Sequence, residues 1–166
     1  MSSSHLIIYD EDYRRINACL LRLHEEAKGK AVFLIDKNGQ LISSCGETSK
    51  LDTTSLASLA AGNMAATGGL AQLLGEREFS IIFHEGERDN LHISLVAHRV
   101  ILIVLFDRRS SLGLVRLRVK KASEELSQIF DELSRRGEEE AQRSQALFQT
   151  DFSEITDDDI ENLFSN

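Results

Sequence analysis

The sequence predicts a mixed α/β (α+β) domain. One five-stranded, mainly antiparallel sheet carries helices on its faces, in the order αββαβββα, and an acidic tail follows. Three observations carry that expectation. Five short apolar runs, KAVFLID, QLISSCG, FSIIFHE, LHISLVA and VILIVLF, suit strands and are too short for helices. Longer stretches between and around them repeat apolar residues at helical spacing. The loops within each group of strands are short, which suits antiparallel neighbours, because parallel ones need long crossovers.

The first helix is expected over residues 10–28. Tyr13, Ile16, Ala18 or Cys19 with Leu20, then Leu23 and Ala27 recur at helical spacing. Asp10, Glu11 and Asp12 stand at its positive N-terminal end, and Gly29 stops it. Between the first two strands, Asp36-Lys37-Asn38-Gly39 is the strongest turn signal in the chain. Asn-Gly between apolar runs predicts a two-residue hairpin with φ > 0 at both positions.

The second helix is read from LDTTSLASLAAGNMAATGGLAQLLGE. Asp52, Thr53 and Thr54 offer N-cap oxygens, and Gly75 ends the run. Its interior is unusual, since Gly62, Gly68 and Gly69 each cost about 1 kcal/mol relative to Ala in a helix. The small residues Ser58, Gly62, Ala65, Ala66 and Gly69 stack near one face. Either the helix packs tightly on its own sheet, or it meets a second copy across a dimer interface.

Of the last three strands, VILIVLF is apolar at every position and belongs at the sheet centre. LHISLVA alternates, so one of its faces is solvated or covered by a partner. A long helix then carries Val115, Val119, Ala122, Leu126, Ile129 and Leu133 as one core stripe. After Arg136 this pattern ends. The expected organisation is a domain over 1–136, a flexible acidic linker over 137–153 and an amphipathic docking segment over 154–166.

Charge sets the tail apart. Residues 1–136 hold 18 acids and 18 bases, whereas residues 137–166 hold nine acids and one base, Arg143. Ile155, Ile160, Leu163 and Phe164 reappear inside that acid, a pattern that reads as a tethered docking peptide. Thr156 is the natural N-cap of a short helix over 155–164 that forms on docking. Asp157 to Asp159 lie in its first turn, and Ile155 and Ile160 sit at the two positions of a hydrophobic staple.

Composition narrows the function classes. The whole chain of 166 residues carries a net charge of −8 and is 42% hydrophobic. That permits one domain with a real core and argues against a nucleic-acid partner, since no basic field exists to release counterions. No run of about 18 apolar residues predicts a membrane span, and MSSSHLIIYDED lacks the pattern of a secretory signal. Cys19 and Cys45 read as buried free thiols in a reducing cytoplasm.

The five histidines fall in separate elements with no metal-ligand spacing. GNMAATGG lacks the Lys-Ser/Thr ending of a phosphate loop. No catalytic centre, cofactor or metal is expected. One basic constellation stands out, Arg108, Arg109, Arg116, Arg118, Lys120 and Lys121, with Arg14 and Arg15 on the first helix. It is either a solvated face balanced by nearby acids or a positive patch for an acidic protein or the tail itself.

Several strings resemble the roadblock family of small regulatory domains, in particular its bacterial polarity members. These are FLIDKNGQLIS, LDTTSLASLAAGNMAA, FHEG, VLFDRRSSLGLVRLRVKKAS and EITDDDIENLF. The resemblance extends over residues 9–136 and returns at 154–164. It implies a homodimer that joins helix 53–75 to its mate and edge strand 79–85 to edge strand. It further implies activation of a Ras-like, MglA-type GTPase, one GTPase per dimer, by remodelling the GTPase's own catalytic groups without an arginine finger. On this chain the GTPase contacts would fall to Arg14, Arg15, Lys120 and Lys121. Ile155, Ile160, Leu163 and Phe164 would dock the tail and influence nucleotide exchange. The implied location is the cytoplasm, concentrated at a cell pole. A roadblock scaffold that binds without activating, and a small-ligand sensor domain, are the alternatives.

Overall fold

The computed structural model describes residues 7–153 and 157–165. The elements are α1 (Asp10–Glu26), β1 (Ala31–Asp36), β2 (Leu41–Gly46), α2 (Thr53–Leu74) and β3 (Ile81–Glu85). They continue with β4 (Asn90–Val96), β5 (Val100–Phe106), α3 (Leu112–Ser153) and α4 (Asp157–Leu163). Residues 8–130 form one compact unit that holds the whole sheet, and the described residues from Asp131 onward belong to a second.

The five strands lie in the order β2-β1-β5-β4-β3, and every neighbouring pair is antiparallel. The expected αββαβββα order and sheet type therefore stand. Strand β5 is buried at every residue and lies at the centre, as its unbroken apolar run requires.

Strand alternation then assigns the two faces. Phe33 and Ile35 of β1, Ile93 of β4, and Ile101 and Ile103 of β5 meet Ala57, Ala60, Ala61 and Met64 of α2 in one buried cluster. On the opposite face α1 packs on β1 and β2. The early part of α3 lies beside it. The Ser110 hydroxyl donates to the Ala27 carbonyl, so the end of α1 meets the start of α3 and the two helices run antiparallel. Arg22–Glu125 at 2.8 Å and Arg118–Glu26 at 3.4 Å join their flanks.

Both helix signals of α2 are realised. The Asp52 carboxylate accepts the Ser55 N–H at 3.1 Å as N-cap, and Gly75 ends the helix in the left-handed region at φ +75°. The end of α1 differs slightly from expectation, because Lys28 takes the left-handed position and the Gly29 N–H closes back on the His24 carbonyl at 3.1 Å.

The first hairpin is built differently from the Asn-Gly expectation. Only Gly39 has positive φ, and the Asp36 carboxylate collects the N–H groups of Asn38 at 2.8 Å and Gln40 at 3.0 Å. A side chain that gathers the loop amides replaces the backbone twist of a two-residue turn. The tight mirror-image turn appears between β4 and β5 instead, where Ala97 and His98 both hold φ > 0, at +52° and +55°. The β-carbon of Ala97 makes that conformation cost roughly 1–2 kcal/mol. Ala97→Asn should therefore raise stability by about 0.5–1 kcal/mol, read as a higher urea midpoint at unchanged slope.

The segment expected as a linker from residue 137 is helical. α3 continues to Ser153, and residues 137–150 are exposed on every side. The stretch GEEEAQRSQALFQ lacks a core stripe but is rich in strong helix formers and contains no proline, so propensity sustains the helix where periodicity is silent.

Candidate functional site

The outer face of α2 is the first candidate surface. Ala57, Ala60, Ala61, Met64 and Ala71 are buried on the inner side. Ser58, Gly62, Ala65, Ala66 and Gly69 are exposed. A β-carbon built at Gly62, Gly68 or Gly69 meets nothing within 4 Å. Tight packing on the sheet thus accounts for Ala57, Ala60, Ala61 and Ala71, and not for the glycines, Ala65 or Ala66. Leu59, Leu70 and Leu73 share the outer side with Gly62, Ala66 and Gly69, and are 75%, 57% and 84% exposed. α2 carries no charged side chain, and a surface helix that sets exposed leucines where charged residues usually stand offers an apolar face to a partner.

The sequence reading singled out the small residues and missed these leucines. Their signal was the lack of any charged residue in the run. Asn63 bonds His84 at 2.9 Å, which ties α2 to β3. β3 is a terminal strand, and among the described residues no strand lies beside its outer edge. The outer α2 face and an open sheet edge are therefore joined by a direct contact.

The basic residues do not form a single cluster. Arg109 pairs with Asp107 at 3.0 Å and Glu47 at 3.3 Å, and Arg118 pairs with Glu26 at 3.4 Å. For those two the balanced-face reading holds. Arg14, Arg15, Lys120 and Lys121 are all exposed. The antiparallel register puts Arg14 and Arg15 roughly 10 Å along the helix axis from Lys120. Lys120 lines a cavity between α3 and strands β3 and β4. Together the cations line two flanks of one helical layer.

In the second unit, Asp157–Leu163 is helical in the lone chain, where the sequence tied that helix to docking. Asp157 and Asp158 in its first turn complement the positive helix end. Ile160, Leu163 and Phe164 are exposed, the last two at 80% and 85%. Ile155 and Thr156, the expected staple and cap, lie outside the described residues.

No reactive thiol is available in the first unit. Burial pushes the Cys19 thiol up to about 12 and the Cys45 thiol up to about 11, so both stay protonated. Among the described residues, no three His, Cys, Asp or Glu side chains are grouped to hold a metal ion. Among them, no helix is long and apolar enough to cross a membrane.

The Roadblock/LC7 domain pattern matches residues 16–106, from within α1 to the end of β5. The chain belongs to the Roadblock/LC7 family. Its roadblock sheet and α2 lie inside that match, while α3 and the tail lie beyond it. Myxococcus xanthus MglB resembles the chain at 60% identity and a TM-score of 0.73, covering 77% of this chain and 96% of that one. The gliding protein MglB of Thermus thermophilus follows at 34% identity and a TM-score of 0.72, covering 80% and 99%. A further MglB, solved in a tetrameric arrangement, is 33% identical with a TM-score of 0.73 and covers 80% and 99%. No curated protein sequence matches the chain. The share of this chain covered by the MglB structures, 77–80%, exceeds residues 16–106, so the likeness to MglB is not confined to the Roadblock/LC7 match.

Proposed function

We propose that this chain works as a homodimer and activates GTP hydrolysis by a Ras-like, MglA-type GTPase, one GTPase per dimer. The 60% identity to Myxococcus xanthus MglB over nearly all of that protein carries the reading. The uncharged α2, with exposed leucines and glycines on its outer side, beside an open sheet edge supports the dimer. The GTPase contacts are Arg14, Arg15, Lys120 and Lys121, acting through charge. The tail, through Ile155, Ile160, Leu163 and Phe164, docks on the GTPase and promotes nucleotide exchange. A cytoplasmic protein concentrated at a cell pole is the corresponding location.

Single-turnover GTP hydrolysis by the cognate GTPase, with and without this protein, is the deciding measurement. Acceleration supports the activator. Binding without acceleration leaves a roadblock scaffold.

An inserted arginine finger is worth about 10³–10⁵ in rate. No single Arg→Ala change should abolish stimulation at saturating protein, because the GTPase keeps its own catalytic groups. Lys120→Glu and Arg14→Glu should each weaken binding about tenfold, mostly through slower association at low salt. Surface plasmon resonance at two ionic strengths checks this. One Arg→Ala variant that binds normally yet is inert overturns the finger-free mechanism.

A further inference from the structure

Between the early part of α3 and strands β3 and β4 lies a cavity of about 700 Å³. Two of the three buried polar residues found among the described ones, His92 and Ser94, line it. They are 1% and 4% exposed and sit on the β4 face beneath α3. The Ser94 hydroxyl donates to the Leu102 carbonyl at 3.5 Å. Neither ring nitrogen of His92 has a partner among the described residues. Burying such a group unpaired costs about 1–3 kcal/mol, so a native fold that keeps it calls for an occupant.

The rest of the lining defines that occupant. Arg116 and Lys120 line the cavity from successive turns of α3, with one acid, Glu124, on the next turn. The wall is therefore net positive. Ile81, 51% exposed on β3, and the buried Val119 supply apolar wall. The volume falls in the usual range of small-molecule sites, about 300–1,000 Å³.

We propose that this cavity binds a small amphipathic monocarboxylate, its acid held by Arg116 and a ring N–H of His92 and its apolar body against Ile81 and Val119. The site does not depend on a GTPase partner. A neutral imidazole has one N–H to donate, and Arg116 supplies the charge-assisted hydrogen bond to the carboxylate. Burial first, and then the positive Arg116, hold the His92 pKa below its ordinary value, which keeps the ring neutral and ready to donate. A carboxylate beside the ring opposes Arg116, so occupancy should move that pKa upward.

Decanoate, with decanol as its uncharged counterpart, tests the site on the full chain below the micellar range. Calorimetry should give one saturable decanoate site per chain, with decanol at least tenfold weaker. Arg116→Gln should reduce decanoate affinity at least tenfold and leave decanol unchanged. Ser123→Phe, at another cavity-lining position, should block both. The His92 ring resonances should shift on decanoate binding and titrate at higher pH. Equal binding of decanoate and decanol overturns the proposal. So does decanoate binding that leaves the His92 ring unmoved, as expected if the chain end settles on the apolar face of α2. An unchanged affinity in Arg116→Gln overturns it too, even where Ser123→Phe fails to fold.

Discussion

Gly62→Leu should convert the dimer into a folded monomer. Within one chain the substitution meets open space, since a β-carbon at Gly62 has no neighbour within 4 Å. Leu is also the better helix former by about 0.8–1 kcal/mol, so the isolated domain should hold or gain stability. The damage falls on the partner. Forcing bulk into a close helix–helix contact costs about 1–3 kcal/mol, and two-fold symmetry counts each substitution twice. A loss of roughly 2–6 kcal/mol weakens association by a factor of about 30 to more than 10⁴. Gly69→Leu should behave alike. Sedimentation at tens of micromolar should show a dimer for the parent chain and a monomer for either variant, with unchanged circular dichroism. A variant that stays dimeric removes the outer α2 face from the interface. One that unfolds shows that the monomer itself needs the glycine.

That separation between fold and interface explains what was legible in the sequence. The central place of β5 followed from its unbroken apolar run, because a strand buried on both faces belongs inside the sheet. The limits of α2 were written in Asp52 and Gly75, whose side chain and backbone freedom act locally. Local chemistry also explains the misses. Asn38-Gly39 looked like a two-residue turn by residue type, but the Asp36 carboxylate just before it captures the loop amides instead. The true tight turn used Ala97 and His98, which no turn preference favours, since the pairing of β4 with β5 imposes it. The extension of α3 was hidden because an exposed helix has no period to read.

The candidate surfaces divided in the same way. Small residues on α2 were visible as an anomaly, but one sequence does not say which side they face. The basic string looked like one patch. Salt bridges removed Arg109 and Arg118, and helix geometry separated Arg14 and Arg15 from Lys120. His92 and Ser94 looked like the polar half of an alternating strand. Only the placement of α3 over that half turned them into buried groups beside a cavity.

Leu163→Ala combined with Phe164→Ala should remove the tail's contribution while leaving every acid in place. Both side chains are almost fully exposed on the lone chain, at 80% and 85%. Leu163 lies three residues past Ile160 on one face of α4, and Phe164 stands just beyond the helix end, an exposed apolar set suited to a groove. Burying a leucine or phenylalanine contributes about 1.5–3 kcal/mol, from which the ordering of a short helix must be subtracted. A helix of seven residues is marginal without a partner, so that cost is real. The double variant should bind the GTPase about 10–100-fold more weakly or lose its effect on nucleotide exchange, and should remain dimeric. Truncation after Thr150 should match it. Neutralising Asp157 to Asp159 provides the contrast, because long-range attraction fades with added salt while apolar burial does not. If neutralisation alone abolishes the effect and the double variant behaves like the parent, the tail is an electrostatic tether and Ile160, Leu163 and Phe164 do not dock.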